Sequence, residues 1–221
     1  AEKAGFEHFM MKEIHEQPKA VQDTLNSVIK DGVIDLSAVE ITEEEIQKFE
    51  QIYIVACGSA WHVGMAAQYV LEDLADIPVR VELASEFRYR KMPLNQKALV
   101  IVVSQSGETA DTLAALRLAK EKNITTMAIV NVVGSSIARE ADKVFYTLAG
   151  PEISVATTKA YSAQLVAMYC IAVQFAKVRE KITEKQYHYY ISEMLTLPEK
   201  MEKILEDKER IQWFAAKYAN T

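Results

Sequence analysis

The residues best equipped for chemistry crowd into one stretch, Ser104-Gln105-Ser106-Gly107-Glu108-Thr109. Three hydroxyls and a carboxamide gather around one glycine. The apolar run Val100-Ile101-Val102-Val103 leads in, and Ala110-Asp111-Thr112-Leu113-Ala114-Ala115 leads out. That order describes a buried parallel strand feeding a helix through a short polar loop. In open α/β sheets such a loop lies at the carboxyl end of its strand, where ligands bind. Ser104, Ser106 and Thr109 supply hydroxyl donors. The helix start supplies free backbone N–H groups and the positive end of its dipole. The chemistry is anion binding, and the small anion it suits is a phosphate.

Two other loops carry the same residue types. Cys57-Gly58-Ser59-Ala60 follows the apolar Ile52-Tyr53-Ile54-Val55-Ala56, and Glu152-Ile153-Ser154-Val155-Ala156-Thr157-Thr158-Lys159 enters a long apolar segment. Strand–helix alternation puts all three loops at one edge of a sheet. Three polar loops around one cleft suit a sugar phosphate better than a bare phosphate. Each loop also has a plainer reading. Ser and Thr ahead of a helix are ordinary N-caps, and Glu108 and Asp111 in a first turn are ordinary partners of the dipole. The 104–109 loop nevertheless holds more donors than a cap needs. Familiar motifs are missing. Neither Gly107-Glu108-Thr109 nor Gly58-Ser59-Ala60 has the lysine of a P-loop. Gly58 is followed only by Gly64, a poor match to a dinucleotide fingerprint. The G-x-S-x-G of a hydrolase elbow is absent.

The elements that must hold these loops are legible from periodicity. Strands are expected over 52–56, 79–82, 98–103, 126–130 and 143–146, with helices over 60–75, 109–122 and 157–178. A helix over 8–29 shows Phe9, Ile14, Val21, Leu25 and Val28 as its apolar face and stops at Asp31-Gly32. Thr42 opens a short helix with Glu43, Glu44 and Glu45 in its first turn. Shorter helical turns fall over 84–90 and 135–140. The 157–178 segment is apolar on nearly all sides, as a buried helix is. Residues 183–219 are helical and charged, with a break at Pro198. Short strands alternating with helices predict an α/β fold: a doubly wound, five-stranded parallel sheet in three layers, with extra N- and C-terminal helices. The expected organisation is an N-terminal helical segment (1–30), a core domain (31–180) and a C-terminal helical extension (181–221).

Composition narrows the class. The 221 residues are half hydrophobic, enough for one substantial domain, and the net charge of −6 argues against nucleic acid or an anionic membrane as partner. An anion here must therefore be held by local dipoles and hydroxyls. Cys57 and Cys170 are expected to be free thiols, as in a cytoplasmic protein, and the histidines (His8, His15, His62, His188) lack metal-ligand spacing. No metal or cofactor is implied. The chain opens on Ala and not Met, and it reads as a piece of a longer polypeptide.

Four motifs together resemble a known family. Cys57-Gly58-Ser59, Val81-Glu82-Leu83-Ala84-Ser85-Glu86-Phe87-Arg88-Tyr89, the run from Ser104 to Thr112, and the run from Glu152 to Ala160 are similar to the first sugar isomerase (SIS) domain of the glutamine–fructose-6-phosphate aminotransferase family. His8-Phe9-Met10-Met11-Lys12-Glu13-Ile14 with Glu16-Gln17-Pro18 resembles the start of that family's isomerase module. The resemblance implies a flavodoxin-like SIS fold. It implies the substrate-binding half of an enzyme that makes glucosamine 6-phosphate from fructose 6-phosphate and glutamine. A glutaminase domain and a second SIS domain would flank this segment, and the module would form a homodimer. Phosphate contacts would be Ser104, Gln105, Ser106 and Thr109. Sugar-side contacts would be Ser59, the backbone around Val155, and Thr157, with Glu152 bordering the sugar. The family's acid–base glutamate, ring-opening histidine and Schiff-base lysine belong to the second half, so no catalytic residue is assigned here, Lys159 included. Ala60, Ser154 and Thr157 depart from the family's usual Ser, Gly and Ser. Two alternatives remain: a non-catalytic module sensing sugar phosphates, or a stand-alone phosphosugar isomerase using Glu108 or Glu152 as base.

Overall fold

The computed structural model describes residues 2–219. The chain begins with two helices, α1 (Phe9–His15) and α2 (Gln17–Val28), where periodicity predicts one. The reason is Pro18, which sits in the first turn of α2. Proline has no N–H for the helical ladder but suits a helix start, so the chain restarts there. Asp31-Gly32 does more than stop α2. Asp31 (φ 51°) and Gly32 (φ 75°) form a left-handed turn that joins β1 (Ile29–Lys30) to β2 (Val33–Ile34) as a small antiparallel hairpin. Thr42 then opens α3 (Glu43–Lys48) with a full capping box to Glu45.

The main sheet follows the expected alternation: β3 (Gln51–Ala56), α4 (Gly58–Ala75), β4 (Val79–Leu83), α5 (Ala84–Phe87), β5 (Ala98–Ser104), α6 (Ala110–Glu121), β6 (Thr125–Val130), α7 (Ser136–Glu140), β7 (Lys143–Tyr146) and α8 (Lys159–Val178). Three more helices, α9 (Glu184–Leu195), α10 (Leu197–Glu206) and α11 (Lys208–Tyr218), complete the described chain. The five strands are all parallel, in the order β4-β3-β5-β6-β7. Counted within the sheet this is the flavodoxin-like order 2-1-3-4-5.

The inner strands β3 and β5 read as apolar runs because both their faces are covered, whereas the edge strand β4 alternates Val79-Arg80-Val81-Glu82. Ile52, Ile54 and Ala56 pack with Leu99, Ile101 and Val103 under α4 and α8, while Tyr53 and Val55 pack with Val100 and Val102 against α5, α6 and α7. The alternation is the two-residue period of a strand. Helix α8 is buried along most of its length, as its composition predicts. Tyr187 of α9 is 1 % exposed; its hydroxyl accepts from the Ile34 N–H (2.7 Å) and donates to Gln174 Oε1 of α8 (2.9 Å). No helix among the described residues is long and apolar enough to cross a membrane. Cys57 and Cys170 are both free, and burial pushes the Cys170 thiol up to about 12.

Candidate functional site

Strand order reverses between β3 and β5, and in doubly wound sheets the crevice at that point is where ligands bind. A cavity of about 220 Å³ lies there. Every residue singled out from the sequence lines it: Ser59 after β3, Ser104, Gln105, Ser106 and Thr109 after β5, and Glu152, Val155 and Thr157 ahead of α8. Cys57, Ala60, Val103, Ser154 and Gln164 complete the wall. The volume is below the roughly 300–1,000 Å³ of sites for drug-sized ligands, so a small polar ligand fits better.

The 104–109 loop is held by its own hydroxyls. Ser104 Oγ lies 3.0 Å from Thr109 Oγ1 and accepts from the Gly107 N–H at 3.0 Å. Ser106 Oγ accepts from the Glu108 N–H at 3.2 Å. Gly107 has φ +68°, and a Cβ there would fall 2.0 Å from Ser135 Oγ. Only glycine lets the loop turn this tightly over α7. The nearby acids point elsewhere. Glu108 accepts from the Ser136 N–H at 2.7 Å, and these Ser136 hydrogen bonds hold its carboxyl below the usual range. Asp111 pairs with Arg88 at 2.7 Å. Neither N-cap side chain, Cys57 for α4 nor Thr109 for α6, caps its helix, so among the described residues both helices bring uncapped first-turn amides to the switch point. Among the described residues no lysine or arginine lines the cavity. An anion is attracted by dipoles, amides and hydroxyls alone.

The 152–158 loop is built differently. Glu152 accepts from Thr157 Oγ1 (2.9 Å), the Thr158 N–H (2.8 Å) and the Ala160 N–H (3.2 Å). Its carboxylate thus occupies the positive end of α8. From behind, Glu13 of α1 accepts from the Ile153 N–H at 2.6 Å and the Ser154 N–H at 3.3 Å. Glu13 is 2 % exposed. Burial alone would raise its pKa, but the hydrogen bonds from Ser154 and Ile153 outweigh that and hold it low. Lys159 is buried in an ion pair with Glu16 at 2.6 Å, outside the cavity wall. Sequence reasoning missed Glu13, which looks like a solvent-facing acid, and Gln164, which is one of two amides in an apolar helix.

A larger groove of about 450 Å³ lies between α4, α8, α9 and α10, lined by Tyr69, Val70, Leu74, Tyr169, Val173, Tyr190, Met194 and Leu197, with Asp73, Glu193 and Lys200 also on its walls. It is a mostly apolar packing face without convergent donors. Among the described residues no group of three metal-ligating side chains comes together.

The comparisons agree with this geometry. The chain is 54 % identical over 221 residues to a glutamine–fructose-6-phosphate aminotransferase (isomerizing) of Caldanaerobacter subterraneus subsp. tengcongensis, all of this chain and 36 % of that protein. It is 54 % identical over 217 residues to the enzyme of that name from Clostridium acetobutylicum, 98 % of this chain and 36 % of that protein. The chain therefore spans about a third of the length of the curated relatives it matches. Among solved structures, the C-terminal domain of glucosamine-fructose-6-phosphate aminotransferase from Francisella tularensis superposes with a TM-score of 0.95 at 40 % identity, covering 100 % of this chain and 62 % of that one. The SIS domain model matches residues 45–174, which run from α3 through nearly all of α8 and include the whole cavity. By fold, by the cavity at its switch point and by that match, the chain belongs to the SIS domain family.

Proposed function

We propose that the cavity binds a hexose phosphate, fructose 6-phosphate or glucosamine 6-phosphate, with the phosphate on Ser104, Gln105, Ser106, Thr109 and the first amides of α6. Ser59, the backbone around Val155, Thr157 and Glu152 face the sugar. The observation that carries the reading is the cation-free cluster of hydroxyls at the uncapped start of α6, with Glu108 and Asp111 turned away. A hydrogen bond to a charged group is worth about 1.5–3 kcal/mol, so a few converging donors suffice for a dianion.

The same reading makes this chain the substrate-anchoring half of an isomerising aminotransferase that forms glucosamine 6-phosphate from fructose 6-phosphate and glutamine. Anchoring a non-reacting phosphate orients the reacting carbons. Proton transfer falls to segments beyond this one, since Glu108 and Glu152 both serve as hydrogen-bonded caps. That weighs against a self-sufficient isomerase built on either acid. The chain alone is expected to bind without turnover. A cytoplasmic location and a homodimer belong to the same proposal, and sedimentation tests the dimer.

The test is calorimetric titration of the 221-residue chain with both sugar phosphates, repeated on Ser106→Ala and Thr109→Val. Both substitutions are expected to weaken binding. Equal affinity in all three proteins sinks the site, and glucosamine 6-phosphate formation by this chain alone sinks the division of labour.

A further inference from the structure

Helix α8 carries two glutamines, and their surroundings differ. Gln174 accepts from the Tyr187 hydroxyl at 2.9 Å. Gln164 is 4 % exposed, lines the cavity, and has no hydrogen-bond partner among the described residues. Its amide nitrogen and oxygen are not among the fully enclosed unpaired atoms, so they open onto the cavity, where solvent or a ligand must satisfy them. Its neighbours along the helix, Ala163, Val166, Ala167 and Met168, are apolar and buried, so the helix itself offers it nothing to bond. What remains open to it is the cavity.

We propose that Gln164 is a specificity-determining residue of this cavity, its carboxamide hydrogen-bonding a hydroxyl or carbonyl oxygen on the sugar part of a bound sugar phosphate. The inference rests on the hexose phosphate reading above and assigns that ligand a further contact. The chemistry favours the sugar over the phosphate. A carboxamide offers two donors and an acceptor, whereas ionised phosphate oxygens only accept. A hydroxyl can both give and receive, so it satisfies both ends of the amide. The phosphate donors also come from another element, the start of α6, while Gln164 lies on α8 beyond the Glu152 and Thr157 loop. A ligand lacking the matching oxygen leaves the amide unpaired, and sites of that kind discriminate strongly.

The experiment compares two probes, inorganic phosphate and fructose 6-phosphate, on the 221-residue chain and its Gln164→Leu variant by calorimetry. Leucine is close in size and removes an unpaired polar group, so the melting temperature is expected to hold or rise. Phosphate affinity is expected to stay within twofold, while fructose 6-phosphate affinity falls at least tenfold. If the leucine variant does not fold, Gln164→Met carries the same comparison. Unchanged fructose 6-phosphate affinity overturns the proposal. So does a parallel loss of both ligands with a lower melting temperature, the signature of a merely structural residue. If the unaltered chain takes up neither probe, the site reading itself fails and the role of Gln164 with it. Uptake of phosphate with no gain from the sugar leaves the anchor standing and removes Gln164 alone.

Discussion

Two helices start at the same cavity from similar sequences, and they meet their first turn in opposite ways. Ahead of α6 stand Ser, Gln, Ser, Gly, Glu and Thr; ahead of α8 stand Glu, Ile, Ser, Val, Ala, Thr and Thr. At α8 the chain supplies its own anion, because Glu152 folds back onto the Thr158 and Ala160 amides. At α6 the two nearby acids leave, Glu108 for the Ser136 N–H and Asp111 for Arg88, and the first turn stays uncapped. Only the first satisfies the positive end of its helix from within the chain. Only the second leaves room for a ligand's charge. Hydroxyls and glycine do not by themselves make an anion site; what matters is where the neighbouring carboxylate goes.

Breaking the α6 side at its tightest point should have the largest effect. Gly107→Ala places a Cβ into Ser135 and forces a left-handed φ on alanine. A loss of roughly 3 kcal/mol is expected in urea denaturation, with phosphate binding gone. Next comes a crossed pair. Glu152→Ala removes the cap of α8 and should cost about 1–2 kcal/mol while inorganic phosphate still binds as before. Ser106→Ala should do the reverse, costing under ~1 kcal/mol of stability but about tenfold in phosphate affinity. Equal effects of the two on both readouts would erase the distinction between the helix starts.

Acid provides the mildest probe. The 152–158 loop is held by carboxylates and the 104–109 loop by hydroxyls that do not titrate in this range. The folded pKa of Glu13 is depressed below its reference value of 4.5. Its contribution is therefore fully present above that reference and is lost as pH falls through the lower folded value. Amide resonances of Ile153 and Ser154 should move below pH 4.5, ahead of those of Ser106 and Gly107. Glu13→Gln, which still accepts hydrogen bonds through its amide oxygen, should flatten that part of the acid response.

Much of the sheet was legible because burial on both faces leaves a plain mark. Ile52-Tyr53-Ile54-Val55-Ala56 and Leu99-Val100-Ile101-Val102-Val103 are apolar without interruption, and the polar loops after them stand out by contrast. The loop residues were legible for the same reason, and all eight lie on one cavity. What stayed hidden depends on long-range geometry. Glu13 sits on an amphipathic helix like any solvated acid, and only the fold brings Ile153 and Ser154 to it, 140 residues or more away in sequence. Gln164 is masked by an apolar helix. The hairpin at Asp31-Gly32 was hidden because its strands are only two residues each, too short for periodicity.

The tie made by Tyr187 bears on the order in which this chain can finish folding. As a polypeptide emerges from its N-terminus, β3 to β7 and α8 can pair and pack among themselves once residue 178 is made. The Ile34 amide has to wait for a hydroxyl 153 residues downstream. Until Tyr187 arrives, the hairpin and α8 share apolar packing but lack the polar tie between them. A hairpin made before the main sheet is thus tied down only after it, and a translation stop before α9 would leave that tie unmade.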